Sequence, residues 1–289
     1  MAQVFKYTLD KSSKKFRCPE CNKKSLVRYI DSDKKYAPEE FGRCDREVNC
    51  SYFKKPDSVI ETEVFERKEY EDPKPASYIP YNYAIASYAK YEENNLYKYL
   101  VSISSEDRVQ ALIEKYRFGV DQSGPYTTDW TLFWQYDIHN KIRSAKMIKY
   151  DQSGHRCKES SASWFHKKGN IYGPLFPEFN LQQCLFGEHL LPGSKKPIAV
   201  VESEKTALIA SLYIDKYTWV ACGGLQELRD AKVAVLKHRS VTLFPDLGGY
   251  ESWAIKAEDY GFNISNHLES IATDEDRAAG KDLADYITQ

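Results

Sequence analysis

The stretch PIAVVESEKTALIAS, residues 197–211, decides the fold. Residues 198–201 form a short, wholly apolar run, which predicts a strand buried on both faces. An acid, Glu202, follows at once. It opens a helix over SEKTALIASLYI. The same strand-to-helix unit recurs downstream. TWVAC (218–222) predicts a strand, Gly223 and Gly224 a turn, and LQELRDAKVAVLK (225–237) a helix. SVTLF (240–244) predicts a strand ending at Pro245 and Asp246, GYESWAIKAEDYG (249–261) a helix, and FNISNHL (262–268) a fourth strand. Strands alternating with helices of this length predict a parallel sheet covered on both faces.

Upstream the pattern changes. ASYAKYEENNLYKYLVSI (86–103) and SSEDRVQALIEKY (104–116) read as two helices, the second capped by Ser104 or Ser105. YRFGV (116–120), TLFWQYDI (131–138) and KIRSAKMIKYD (141–151) read as strands joined by hairpin turns. Residues 159–195 carry several Gly and Pro and predict no regular element. PDSVIETEVFERKEYEDPKPASYIP (56–80) is charged and proline-containing, and reads as a linker. The expected division is therefore 1–56, a linker at 57–83, a mixed helix-and-sheet region at 84–195 and an α/β domain at 196–289.

Four of the seven cysteines fall in two close pairs, Cys18-Pro-Glu-Cys21 and Cys44-x5-Cys50. Two thiolate pairs on turns, joined by a strand-forming segment, suit a tetrahedral zinc ion in a small ribbon. With four protein ligands no position is open to a substrate, so the zinc would be structural. Free thiols are the other reading of the same four residues. Cys157, Cys184 and Cys222 are isolated and are expected as buried free thiols.

Net charge is −1, so whole-chain balance identifies no polyanion partner, but its distribution is uneven. Residues 1–58 hold fourteen Lys and Arg against nine Asp and Glu; residues 139–170 hold eight against two; residues 246–289 hold three against ten. Two basic segments and an acidic end suit a protein that holds phosphates in one place and cations in another, although ordinary solvated faces give the same totals. Around the first cysteines stand Lys14, Lys15, Arg17, Lys23, Lys24, Arg28, Arg43 and Arg46. No apolar run reaches the ~20 residues of a membrane span, and the N-terminal stretch lacks a signal-peptide core. The expected location is cytoplasmic.

Glu202 and Asp246 occupy matching places in the pattern, each directly beyond an apolar strand. In an open α/β sheet the site lies beyond the carboxyl ends of the strands. Two acids there supply hard oxygens for Mg²⁺ or Mn²⁺ together with substrate phosphates. An acid at a strand end is also a common helix cap. Gly223 and Gly224 would let backbone approach a nucleotide closely, and the helix start at Ser203–Glu204 would favour an anion.

These motifs together resemble a known family. PIAVVESEKTALIAS is similar to the first motif of toprim domains, as found in phage and plasmid primases, and LFPDLGG resembles the second, usually Asp-x-Asp and a small residue. An N-terminal zinc ribbon ahead of such a domain matches the order in bacterial-type primases. YRFGV…FWQYDIHNKIRSAKMIKYD is similar to the sheet that precedes toprim there. The CPxC…GRCDRE ribbon, the FWQ segment and PDLG are similar to toprim-containing proteins carried on mobile elements of Bacteroides-like bacteria.

The resemblance implies a Rossmann-like toprim sheet, Glu202 as general acid/base and Asp246 as a metal ligand. The second Asp of the motif falls on Gly248, which is a departure. GKDLADYI resembles the acidic stretch that follows toprim, pointing to Asp282 and Asp285 as replacement ligands; Glu204 is a further candidate. The resemblance also implies that Lys141, Arg143, Lys146 and Lys149 meet template or nucleotide, with Lys205, Gly223 and Gly224 beside the phosphates. The aromatics Trp134, Tyr136 and Trp164 are candidate stacking platforms, with at least two of the three expected in the core instead.

The function so implied is primer synthesis on single-stranded DNA from nucleoside triphosphates, in mobile-element replication or transfer. A non-catalytic DNA-binding accessory protein and a toprim nuclease are the alternatives. The chain has no GxxxxGK[ST] phosphate loop, so a helicase or mobilisation partner would be a separate protein.

Overall fold

The computed structural model describes residues 7–46, 49–56, 74–124, 127–170 and 173–289. Two compact units emerge, Met1–Asp72 and Pro73–Gln289. No described helix is long and apolar enough to cross a membrane.

The first unit is an antiparallel ribbon of β1 (Thr8–Leu9), β2 (Phe16–Arg17), β3 (Lys24–Ile30), β4 (Gly42–Cys44) and β5 (Phe53–Lys54). β3 is the centre: β1 and β2 pair with one side of it, β4 with the other, and β5 extends β4. A ribbon this small buries little beyond Leu26 and two cysteines in one cluster, so it needs another source of stability.

The second unit begins within the stretch read as a linker. Ile79 is buried and its amide donates to Ile142 O at 2.8 Å, so residues 74–83 belong to this unit; the linker residues 57–73 lie outside the described residues. α1 (Tyr81–Ala86), α2 (Asn95–Ser102) and α3 (Glu106–Tyr116) follow. The first predicted helix is broken because Asn94 adopts an extended conformation and caps α2, accepting from Tyr97 N. Ser105 caps α3.

Next comes an antiparallel sheet of β6 (Gly119–Val120), β7 (Trp130–Tyr136), β8 (Ile142–Lys149) and β9 (Ser163–Trp164), in that order. A two-residue hairpin, β10 (Gly169–Asn170) and β11 (Gly173–Pro174), lies within the stretch expected to be irregular.

The C-terminal part contains β12 (Ile198–Val201), α4 (Glu204–Tyr213), β13 (Thr218–Ala221), α5 (Asp230–Val233), β14 (Val241–Phe244), α6 (Tyr250–Tyr260), β15 (Asn263–Ile264), α7 (His267–Ile271), α8 (Asp274–Ala279) and α9 (Leu283–Ile287). The four strands are parallel, in the order β13-β12-β14-β15. Alternate residues of β12 enter different cores: Ala199 and Val201 join Phe133 and Ile148 of the antiparallel sheet, whereas Ile198 and Val200 meet Leu243 and Trp253. That two-sided burial is why the strand reads as a continuous apolar run.

Two predicted elements are shorter than their sequences suggest. LQELRDAKVAVLK holds only the single turn α5 between two 3₁₀ turns, because Leu228 and Arg229 take non-helical backbone angles, with ψ 86° and 155°, that interrupt it. FNISNHL keeps two strand residues before Ser265 turns the chain into α7.

Trp134 sits at the centre of the other face of the antiparallel sheet, fully buried, with its Nε1–H donating to Ser87 Oγ at 2.9 Å. Replacing it with Ala should lower the unfolding free energy by about 3–5 kcal/mol in urea titrations; a loss under about 1 kcal/mol would show that this core is not as described.

Candidate functional site

In the ribbon, the sulfur atoms of Cys18, Cys21, Cys44 and Cys50 all lie within 4.8 Å of one another. Cys18 and Cys50 are 3.7 Å apart, and Cys21 and Cys44 3.9 Å. Four sulfurs at ~2.3 Å from one tetrahedral zinc ion stand about 3.8 Å apart, so the donor set fits zinc. Local turns build the site. Asn22, at φ 54°, donates its amide to Cys18 O, and Cys50 N donates to Arg46 O at 2.8 Å, folding the five-residue spacing into reach. The backbone amide of Lys23 lowers the Cys21 thiol, while at Cys50 the pull of the Tyr52 amide is outweighed by burial and the other three sulfurs, which raise it, so the four thiols share their protons as one cluster.

The basic residues around the ribbon divide. Lys15 is ion-paired with Asp45, and Lys14 and Arg28 lie over the rings of Phe16 and Tyr36; Arg17, Lys23 and Lys24 are exposed. The protein should purify with one zinc per chain, and Cys18→Ser should lose it. Full zinc content in that variant, by elemental analysis, would refute the site.

In the second unit β12 and β14 pair side by side, with Val201 opposite Phe244. Glu202 and Asp246 therefore emerge together at the carboxyl ends of adjacent strands. Glu202 Oε1 accepts a hydrogen bond from Asp246 N at 3.1 Å. Asp246 Oδ1 is buried with no partner. Burial, then the charges of Glu202 and Asp282, push Asp246 up to about 8, while Lys205 opposes them. Burial also raises Glu202, against the pull of the Asp246 amide. A Cβ on Gly249 would stand 2.8 Å from Glu202 Oε1 and 3.1 Å from Asp246 O, so a side chain there would displace the Glu202 carboxylate.

Asp282 and Asp285 lie close enough to act on Asp246, but they also build a helix end. Asp282 caps α9, accepting from Ala284 N and Asp285 N through Oδ1 and from Thr206 Oγ1 through Oδ2; Asp285 Oδ2 accepts from Asp282 N. Gly248, where the motif departs, has φ 81° and its amide donates to Glu269 Oε1 at 2.7 Å. Glu269 was not foreseen, since nothing in HLES marks a partner for a loop some twenty residues earlier. Among the described residues only the four cysteines form a group of three or more such ligands within 4.8 Å of one another. The crevice still fits a divalent cation in its chemistry: hard carboxylate oxygens, one of them buried and unpartnered.

The hairpin cations do not act as one set. Lys146 reaches the crevice, donating to Glu204 Oε2 at 3.0 Å and Gly223 O at 2.8 Å, so Glu204 serves as its partner. Lys149 faces away and pairs with Asp129, Arg143 pairs with Asp137, and Lys141 lies over Tyr78. Strand alternation separates Lys146 from Lys149, and a register shift near Tyr136 displaces Arg143. Lys205 Nζ donates to Gly154 O, and Gly223 N to Glu202 O. Gly224 follows with a positive φ of 145°. Lys232, also unforeseen, is buried beneath this loop and donates to Gln183 Oε1, Cys222 O and Glu227 Oε2.

Trp134 and Tyr136 are core residues, while Trp164 is half-buried. Cys184 and Cys222 are buried; Cys157, expected buried, is only half-buried because it sits on the turn after β8.

A model of a zinc beta-ribbon finger matches residues 5–64, and one described as a domain of unknown function, DUF6371, matches residues 94–247. The chain belongs to the DUF6371 family. The part of this DUF6371 protein that matches includes the antiparallel sheet, Glu202 and Asp246. No curated protein matches it. It is similar to three solved primase structures. The primase fragment of the bacteriophage T7 primase-helicase protein is 14% identical, covering 91% of this chain and 96% of that one, at a TM-score of 0.42. The RNA polymerase domain of Mycobacterium tuberculosis primase DnaG is 13% identical, covering 71% and 75%, at 0.44. The zinc binding and RNA polymerase domains of Aquifex aeolicus primase are 10% identical, covering 94% and 79%, at 0.35.

Because Asp246 is raised from 3.8 to about 8, its contribution to stability is complete below about 4 and is lost as pH rises through about 8. With divalent cations chelated, the melting temperature should fall over that range. Asp246→Asn should flatten the fall and exceed wild type at high pH; parallel curves for the two proteins would contradict the burial of this acid.

Proposed function

We propose that this DUF6371 protein is a primase-like nucleotidyltransferase with a toprim-type crevice. The observation that carries the reading is the pair Glu202 and Asp246 at the carboxyl ends of adjacent parallel strands, with an unpartnered Asp246 oxygen buried between them. Beside it stand the sequence motifs around both acids and the zinc-fitting ribbon ahead of them.

In this reading Asp246 and Glu202 hold a divalent cation, with Asp282 nearby. The cation, when bound, supplies positive charge against a triphosphate. Glu202, raised by burial, is suited to take the proton of an attacking 3′-hydroxyl as the new bond to the α-phosphorus forms and pyrophosphate leaves. Lys146 fixes Gly223 O and so the loop that borders the nucleotide. Lys205 opposes the charge of Asp246 from the first turn of α4. The ribbon, Lys141, Arg143 and Lys149 would meet single-stranded DNA. A separate helicase or mobilisation protein, a cytoplasmic setting and a role in mobile-element replication belong to the same proposal and rest on the sequence resemblance.

One observation favours a second reading, a DNA-binding accessory protein without catalysis. Gly248 supplies no carboxylate, its positive φ disfavours any side chain there, and its amide is already taken by Glu269.

The deciding experiment incubates the zinc-loaded protein with single-stranded DNA, labelled nucleotides and Mg²⁺ or Mn²⁺. Short products from wild type, reduced at least a hundredfold in Glu202→Gln with DNA affinity retained, are expected. Equal synthesis by the mutant would overturn the catalytic role. DNA binding with no products from wild type would favour the accessory reading.

A further inference from the structure

Tyr78, Tyr81 and Ile85 are exposed by 39%, 46% and 60%, an unusual concentration of large side chains within eight residues of chain. They sit at the turn of the β7–β8 hairpin, stapled there by Ile79 N donating to Ile142 O. Cations accompany both rings. Lys141 Nζ lies 4.9 Å and the Arg143 guanidinium 5.0 Å from the centre of Tyr78. Arg117 donates to Tyr81 Oη at 3.3 Å and to Asn140 Oδ1 at 2.9 Å, while its own guanidinium rests over buried Tyr136. The Tyr81 ring meets Tyr136 edge-on at 5.7 Å. Among the described residues, only Arg143 of these three cations is ion-paired, and its partner Asp137 is buried.

We propose that this hairpin turn is a second nucleic-acid contact, at which unpaired bases stack on Tyr78 and Tyr81 and Lys141, Arg143 and Arg117 face the phosphates. Rings held by the backbone and by neighbouring cations lose little freedom when a base stacks on them. Excess positive charge beside exposed rings matches a single strand, which offers both flat bases and phosphates. The contact is separate from the crevice. Lys141 stands in the turn just before β8, five residues and about 16 Å of extended chain ahead of Lys146, and it is Lys146 that touches the Gly223 loop. The turn would therefore hold a strand some distance from the point of chemistry, whatever the chemistry is.

The proposal rests on the reading that the ligand is single-stranded nucleic acid, but not on catalysis. It is tested by fluorescence anisotropy of a labelled oligothymidylate of about 20 nucleotides with the full chain. The double variant Tyr78→Ala/Tyr81→Ala should bind at least about tenfold more weakly, and Tyr78→Phe/Tyr81→Phe should bind as wild type, because stacking survives in phenylalanine. Lys141→Ala should lower the salt dependence by about one phosphate contact. Wild-type affinity in the alanine variant, or loss in the phenylalanine variant equal to that in alanine, would overturn it. So would failure of wild type to bind the oligonucleotide. Asp215→Asn, which removes only the surface partner of Lys196, should bind as wild type; because no residue of the crevice is altered in any of these variants, a failure of the catalytic reading leaves this result standing.

Discussion

One ammonium group ties the larger unit together. Lys146 rises from the antiparallel sheet and ends against Glu204 at the start of α4 and Gly223 O at the end of β13. Both partners belong to the C-terminal α/β part, one on α4 and one on the loop after β13, and the Glu204 carboxylate is almost wholly buried. Removing one member of such a pair leaves an uncompensated buried charge, which typically costs about 3–5 kcal/mol. The geometry of the crevice depends on it, because Gly223 N in turn donates to the backbone of Glu202. The strand that the middle region contributes is thus part of the site's scaffold.

Within that frame, the acids face opposing demands. Glu202 gains a hydrogen bond from the Asp246 amide, but Asp246 faces two neighbouring carboxylates with one oxygen unpartnered. Charging a buried acid in that setting costs the folded protein stability, and acids perturbed in this way cluster at functional sites. The ribbon presents the same logic in sulfur: four thiols crowd to a spacing that suits one tetrahedral ion, in a domain with too little core to stand otherwise.

Much of this was legible in the residues. The apolar run before Glu202 and its counterpart before Asp246 pointed to parallel strands, but not to their being neighbours in the sheet, which the strand order alone shows. The cysteine spacing announced the ribbon. What was not legible depended on distant partners. Whether Lys146 or Lys149 points inward turns on register, and which acid meets it turns on how α4 packs; neither is local. The same holds for Lys232, whose acceptors come from two connections, Gln183 in one and Cys222 and Glu227 in the other, and for Glu269 on the Gly248 amide. Asp282 and Asp285 illustrate a different limit: a helix-capping pair and a metal-ligating pair have the same sequence signature, and here they do cap α9.

The central claim is that Glu202 and Asp246 form a cation-binding crevice. It is tested most directly by Mn²⁺ binding to the zinc-loaded protein, followed by electron paramagnetic resonance. Wild type should bind Mn²⁺ at a site lost in Asp246→Asn and kept in Asp129→Asn, which removes only the surface partner of Lys149. Equal binding by wild type and Asp246→Asn, or none by wild type, would contradict the account.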